Sequence, residues 1–233
     1  MAEKRWSPEE IAAAARSLEG QGPVAALRWA YEQFAPEEIA FACSFGAEDV
    51  ALAHMISRVA PGAQVFYLDT DFLFPETYRT IEAVRAAYPL RIRRVSPALT
   101  PREQAERYGD ELWSRDPDLC CSLRKVEPLR EVLRGLKAWI TGIRRAQSPT
   151  RAGAQVVEWD RKFGLVKVNP LVDWKDADVW KYILEHNVPY NPLHDRGYPS
   201  IGCTHCTRPV RPGEDPRAGR WSGFAKTECG LHQ

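Results

Sequence analysis

The stretch Ile39-Ala40-Phe41-Ala42-Cys43-Ser44-Phe45-Gly46-Ala47-Glu48-Asp49, running into the helical pattern of residues 50–59, decides the fold. The apolar run Ile39 to Cys43 predicts a buried strand, followed by a short loop with a hydroxyl and a glycine, then by apolar residues at helical spacing. Strand, glycine-containing loop and helix open a βαβ unit, and the rhythm repeats downstream. Gln64 to Asp69 predicts a second strand, Pro75-Glu76 the first turn of a helix, and Leu90 to Val95 a third strand. Val126 to Leu136 then reads as a helix, Ala138 to Ile143 as a fourth strand, Leu165 to Val168 as a shorter fifth, and Lys175 to Asn187 as a helix. Strands alternating with helices predict an α/β fold, a mainly parallel sheet with helices on both faces. Upstream, residues 8–35 carry Ala, Leu, Ile and Trp at helical spacing behind a Ser7-Pro8 start, which predicts a packing helix or pair.

Composition narrows the class. At 44% hydrophobic and 27% charged, the 233-residue chain is neither disordered nor collagenous, and it is long enough to bury its own core. Lys and Arg exceed Asp and Glu by one, so no global charge attracts nucleic acid or an anionic membrane. No run reaches the roughly eighteen apolar residues of a membrane span, and Met1-Ala2-Glu3-Lys4-Arg5-Trp6 has no signal-peptide character. A cytoplasmic protein is expected. Without repeats or a linker, the chain reads as a single domain over 1–233. Its segment of about 188–233, rich in Pro, Gly, Arg and Cys, has no sustained period and must be ordered by something other than a core.

Five of the six cysteines form a pattern: Cys120-Cys121, Cys203-Thr204-His205-Cys206, and Cys229 near the end. In a reducing compartment this points to metal ligation or catalysis rather than a disulfide framework. Adjacent cysteines bond poorly to each other, because the distance and dihedral demands of a disulfide strain the peptide between them. Cys203 and Cys206 alone also fit a redox dithiol, and all four fit a structural zinc or an iron–sulfur centre. The adjacent pair weakens zinc, since both side chains must reach one small ion, whereas a [4Fe–4S] cube offers one iron corner per thiolate. Spacing leaves cluster and zinc both open. In the tail Lys226-Thr227-Glu228-Cys229-Gly230-Leu231-His232, cationic neighbours favour the thiolate that a nucleophile needs and Glu228 opposes them. An inert terminal thiol is the competing reading. Cys43, within an apolar strand, reads as a core thiol.

Basic residues cluster at Arg144, Arg145 and Arg151, at Arg124-Lys125, and at Arg208, Arg211, Arg217 and Arg220. Most such runs are solvated surface, but Thr141-Gly142-Ile143-Arg144-Arg145 falls where a parallel strand ends, the edge at which open α/β sheets bind ligands. Arginine there suits phosphate or sulfate. The loop Ser44 to Asp49 lies between a strand and a helix N-terminus, an arrangement suited to anions, although it is not a Walker A motif. The five histidines show no metalloprotease spacing; His205 stands beside cysteines, and His54 and His186 read as ordinary helix residues.

With Cys120-Cys121-Ser122-Leu123-Arg124-Lys125, Cys203-x-x-Cys206 and Lys226 to His232 on the page, the chain resembles the phosphoadenylyl/adenylyl-sulfate reductase family, and within it the assimilatory adenosine 5′-phosphosulfate (APS) reductases. The resemblance extends from about residue 38 to the end and includes Ser44 to Asp49, Leu68-Asp69-Thr70 and Thr141 to Arg145. It implies an adenine-nucleotide α-hydrolase-like (PP-loop) architecture, with that fold's Ser-Gly-Gly-x-Asp-Ser phosphate loop degenerate here, Phe45 at a glycine position and Val50 at the final serine. It also implies a [4Fe–4S] cluster on Cys120, Cys121, Cys203 and Cys206, and Cys229 as nucleophile.

The implied chemistry is reduction of APS to sulfite and AMP. The adenylyl group would sit near Ser44, Gly46, Asp69, Thr141 and Gly142, with Lys125, Arg144, Arg151, Arg217 and Arg220 around the phosphosulfate, the tail closing over it. Cys229 would take the sulfur as S-sulfocysteine and an external thioredoxin would release sulfite, no thioredoxin-like domain following Cys229. The cluster would act by position or charge rather than by electron transfer. A PAPS reductase or a dual APS/PAPS enzyme is one alternative, and a zinc-stabilised PP-loop nucleotide-binding protein that leaves Cys229 idle is another. The helices before residue 38 would cover a sheet face or form a homo-oligomer contact.

Overall fold

A computed structural model describes residues 6–232; the start Met1 to Arg5, read above for targeting character, lies outside the described residues. Two helices, α1 (Pro8–Leu18) and α2 (Pro23–Gln33), precede the sheet. Ser7 caps α1 reciprocally: its hydroxyl accepts from Glu10 N at 3.2 Å, and its own N–H donates to Glu10 Oε2 at 2.8 Å. Then come β1 (Ile39–Ala42), α3 (Ala47–Val59), β2 (Gln64–Leu68), α4 (Pro75–Ala87) and β3 (Arg91–Val95). The connection to the next strand holds α5 (Pro101–Tyr108), the short α6 (Leu112–Arg115) and α7 (Pro117–Cys121), a π-helical turn over Ser122–Val126, and α8 (Glu127–Leu133). It ends at β4 (Ala138–Ile140), followed by β5 (Val157–Asp160), β6 (Leu165–Val168) and α9 (Asp176–Glu185).

The six strands run in the order β3-β2-β1-β4-β6-β5, parallel except for β5, which pairs antiparallel with β6 at the edge. The α/β class read from the sequence is therefore correct, with additions. Val157–Asp160 is a sixth strand with no place in the sequence reading, and Pro101–Tyr108 a helix with none. The predicted helix from Val126 begins as a π turn, and the fourth strand stops at Ile140, leaving Thr141 to Ile143 as the loop beyond its end.

Alternate strand residues face opposite ways, which builds two cores. Ile39, Phe41, Val65 and Ile140 pack with α1, α2, α3 and α9, whereas Ala40, Phe66 and Trp139 pack with Leu129 and Leu133 of α8. Burying each large apolar side chain contributes about 1.5–3 kcal/mol, so both faces must be covered. Among the described residues no helix is long and apolar enough to cross a membrane. The chain reverses its winding direction between β1 and β4, and the carboxyl ends of these neighbours diverge into a crevice, the switch point of an open α/β sheet.

Candidate active site

A cavity of about 660 Å³ opens at that switch point. Its floor is the loop after β1. Phe45 takes a left-handed backbone (φ 59°), held there by burial of its ring edge-on against Tyr67 at 5.7 Å. Gly46 then starts α3, and Asp49 turns back to accept from Ser44 N at 2.6 Å and Ser44 Oγ at 2.5 Å. Burial pushes the Asp49 carboxyl up to about 6 against those hydrogen bonds. Gly142 rests directly on it: a Cβ at Gly142 would fall 2.0 Å from Asp49 Oδ1.

The loop after β4 locks onto the same floor. Glu48 accepts from Arg144 Nε at 3.0 Å, Arg144 Nη2 at 2.6 Å and Gln147 Nε2 at 2.9 Å, and Arg144 also pairs with Asp176. Arg144 therefore lines the cavity with its charge already matched. Thr141 Oγ1 donates to Asn169 Oδ1 at 2.6 Å, so its hydroxyl is also engaged within the fold. Asp69 does not line the cavity. Its carboxylate is buried between Tyr78 Oη at 2.7 Å and Arg94 Nε at 2.7 Å, which turns it from the expected adenylyl contact into a strut between β2, α4 and β3.

The tail forms the roof. Cys229 is half-buried on the cavity wall, with Leu231 packed beside Trp139 and Leu129 and the His232 ring stacked on Trp139 at 5.6 Å. Burial holds His232 neutral, well below the ordinary imidazole range, so it is not the cation beside Cys229 that sequence proximity suggested. Lys226 is drawn off to Asp118 of α7. Glu228, its side chain 2% exposed, accepts from Arg151 Nε at 3.0 Å, Arg151 Nη2 at 2.8 Å and Arg217 Nη2 at 3.2 Å. Two of the expected phosphosulfate ligands are thus committed to the tail. Burial opposes the Glu228 charge, but the two guanidiniums hold its carboxyl below the ordinary glutamate value.

Lys125 and Arg220 remain. Both line the cavity and neither forms an ion pair among the described residues. Lys125 and its neighbour Arg124 leave the π turn in different directions. Arg124 points inward, donating to Thr70 O at 2.6 Å, Asp71 Oδ2 at 2.7 Å and Gln104 Oε1 at 2.9 Å, while Lys125 faces the cavity. Burial disfavours charge on Lys125, but the thiols of Cys203, Cys229 and Cys121 outweigh it and raise its pKa. Arg220 lies over the Trp221 ring at 4.4 Å and donates to Ser200 Oγ at 3.0 Å, with its Nε buried and unpartnered among the described residues. Packed against Trp180 of α9, His194 also lines the cavity, with both ring nitrogens buried and without a hydrogen-bond partner among the described residues; its sequence context of Pro and Asn carried no signal for this role.

Behind Lys125, Cys120, Cys121, Cys203 and Cys206 line one small pocket, closed by Phe72 and by His205 stacked on Trp113 at 3.9 Å. An antiparallel bridge between Leu73 and Cys203 seats the second pair. Burial, reinforced by the other three thiols, pushes Cys120 up to about 12; burial and the neighbouring Cys203 and Cys121 push Cys206 up to about 11. Among the described residues no three His, Cys, Asp or Glu side chains stand in a geometry that would hold a single metal ion. Cys43 is buried under Asp49 as a core thiol, and His54 packs with His186 and Tyr182 between α3 and α9.

A ligand-sized cavity at the switch point of a parallel sheet, walled by cations and roofed by a thiol-bearing segment, defines a PP-loop-like nucleotide-binding α/β protein. Phosphate-type chemistry is compatible with Lys125 and Arg220, which form no ion pair among the described residues. The family model of the phosphoadenosine phosphosulfate reductase domain matches residues 38–209, and the chain belongs to this family. It is 53% identical over 94% of both chains to the adenosine 5′-phosphosulfate reductase of Halalkalibacterium halodurans. It is 52% identical to that of Geobacillus thermodenitrificans, over 98% of this chain and 97% of the relative. The crystal structure of phosphoadenylyl-sulfate (PAPS) reductase from Candida auris, a phosphate complex, superposes with a TM-score of 0.77 at 34% identity, covering 89% of this chain and all of that one. Candida glabrata FMN adenylyltransferase, at 18% identity and a TM-score of 0.59 over 89% of this chain and 68% of that one, shares the fold.

Proposed function

We propose that this chain reduces adenosine 5′-phosphosulfate to sulfite and AMP, with Cys229 as nucleophile. The observation that carries the reading is the placement of the Cys229 thiol on the wall of a nucleotide-sized cavity that also presents Lys125 and Arg220 without carboxylate partners. The names of the relatives, APS reductases at about half identity over nearly the whole chain, support APS as the substrate.

In the first step the Cys229 thiolate attacks the sulfate sulfur in line. An S–S bond forms, the bond from that sulfur to the bridging oxygen breaks, and AMP departs with the oxygen, leaving S-sulfocysteine on the enzyme. Lys125 and Arg220 offset the repulsion between thiolate and anion and stabilise charge on the departing phosphate. In the second step a thiolate of an external dithiol protein of the thioredoxin class attacks Cys229 Sγ. Sulfite leaves with the bonding electron pair, and the partner's second thiol resolves the mixed disulfide, so two thiols are oxidised for each sulfur reduced.

The four clustered cysteines fit a [4Fe–4S] group: all donors are thiols, they share one pocket, and the Cys120-Cys121 adjacency suits separate iron corners. Such a group, when bound, supplies a fixed charge centre behind Lys125. In this reading Ser44, Gly46, Thr141 and Gly142 shape the nucleotide floor, and Arg144 braces it through Glu48.

Mass spectrometry after anaerobic incubation without reductant tests the reading. A sulfonate adduct on Cys229 is expected with APS, absent in Cys229→Ser and discharged by reduced thioredoxin. Adduct formation with PAPS in preference to APS would reassign the substrate, and full sulfite production by Cys229→Ser would overturn the mechanism.

A further inference from the structure

Glu228 is the best-anchored residue of the tail, yet it is an acid beside a thiol that must meet an anion. Chemistry alone makes it a poor neighbour, so its presence in the site calls for a compensating role. The geometry supplies one. Its carboxylate is almost fully buried and accepts from Arg151 by two nitrogens at 3.0 and 2.8 Å, from Arg217 Nη2 at 3.2 Å, and from the hydroxyls of Ser148 and Thr150 at 3.3 and 3.2 Å. Arg217 Nη2 also donates to the carbonyl of Thr227 at 2.8 Å. One residue beyond the cysteine, Lys162 Nζ donates to the carbonyl of Gly230 at 2.6 Å, and Gly230 takes a φ of 84° that turns the chain down onto Trp139. Cys229 is therefore clamped on both sides by groups distant in sequence. The clamp also reaches the nucleotide floor, because Arg151 Nη1 donates to Gln147 Oε1 at 2.5 Å and Gln147 Nε2 to Glu48 Oε1 at 2.9 Å.

We propose that Glu228 is the positioning residue of the reaction: held by Arg151 and Arg217, it seats the adjacent Cys229 thiol over the cavity. The inference rests on the reading of Cys229 as nucleophile. Bidentate guanidinium–carboxylate contact fixes direction as well as distance, which is what an in-line attack requires of its attacking atom.

Single-turnover formation of the Cys229 adduct, followed by quenched mass spectrometry over a range of APS concentrations, separates the possibilities. Glu228→Ala should lower the limiting rate by about 10²-fold, the scale of a misplaced reacting group, while the half-saturating APS concentration stays within about twofold. Arg151→Met should show the same split, and the double variant should be no slower than either single one. Hydrogen exchange should rise across residues 226–232 in Glu228→Ala, and unchanged AMP affinity shows that the cavity has kept its form. If Glu228→Ala keeps the wild-type limiting rate, or binds APS more tightly, the carboxylate is at most a competitor for the anion site and the proposal fails. It fails equally if Arg151→Met raises the half-saturating concentration with the limiting rate intact. Failure of the wild-type protein to form any adduct would sink the nucleophile reading itself, an outcome distinct from both.

Discussion

Asp49 shows how a single residue shapes the site. Its carboxyl is raised to about 6 because burial outweighs the two hydrogen bonds from Ser44. A carboxyl with its folded pKa above the unfolded value of 3.8 favours the fold in its protonated form, so its contribution is complete below pH 3.8 and is lost as pH rises through about 6. At pH 8 its ionisation costs about 3 kcal/mol. Asp49→Asn should therefore stabilise the protein at pH 8 by about 1–3 kcal/mol, with the gain shrinking towards pH 4; denaturant midpoints across that range measure it. A gain of equal size at both ends would show that the carboxyl is not raised.

Among the elements, the contact that matters most is between the loops leaving β1 and β4, since it closes the nucleotide floor. Glycine is the only residue type that fits at position 142, where a Cβ would lie 2.0 Å from Asp49 Oδ1 and 3.2 Å from Glu48 Cβ. Gly142→Ala should cost about 1–3 kcal/mol by overpacking and weaken AMP binding, both read from AMP-dependent thermal shifts. Gly135, with nothing within 4 Å of the place a methyl group would take, is the control, and Gly135→Ala should stay within about 0.5 kcal/mol of wild type. The π turn at Ser122–Val126 carries the other decisive pair, Arg124 turned into the fold and Lys125 into the cavity. Straightening it into α-helix would rotate both.

Across the whole molecule, the cysteine pocket links segments that a sheet core does not reach. Cys120-Cys121 sit at the end of α7, whose Asp118 holds Lys226 of the tail, and Cys203 bridges to Leu73 beyond β2. A metal group there would tie two distant stretches together, residues 120–121 and 203–206, and contribute its binding energy to folding. Protein purified anaerobically should contain iron and acid-labile sulfide, and Cys206→Ser should lose both and lower the Tm by at least about 5 °C. Zinc without sulfide would overturn the cluster assignment in favour of a structural zinc.

Much of this was legible in the chain alone. Buried runs such as Ile39 to Cys43 and Gln64 to Leu68 announced the parallel sheet because a strand covered on both faces has no polar alternation to confuse it. The cysteine spacing and the tail motif marked the residues that now line two adjoining pockets. Helix Pro101–Tyr108 escaped because it is polar nearly all round, with no apolar stripe to read, and Val157–Asp160 because the acidic Glu158 and Asp160 broke the apolar signal of an edge strand. The charges of Asp69, Arg144, Arg151 and Arg217 were equally visible, but their roles were not. An ion pair is made by residues brought together from as far apart as Glu48 and Arg144, or Arg151 and Glu228, and only the tertiary structure decides which charges are matched within the fold and which, like Lys125 and Arg220, are left to meet a ligand.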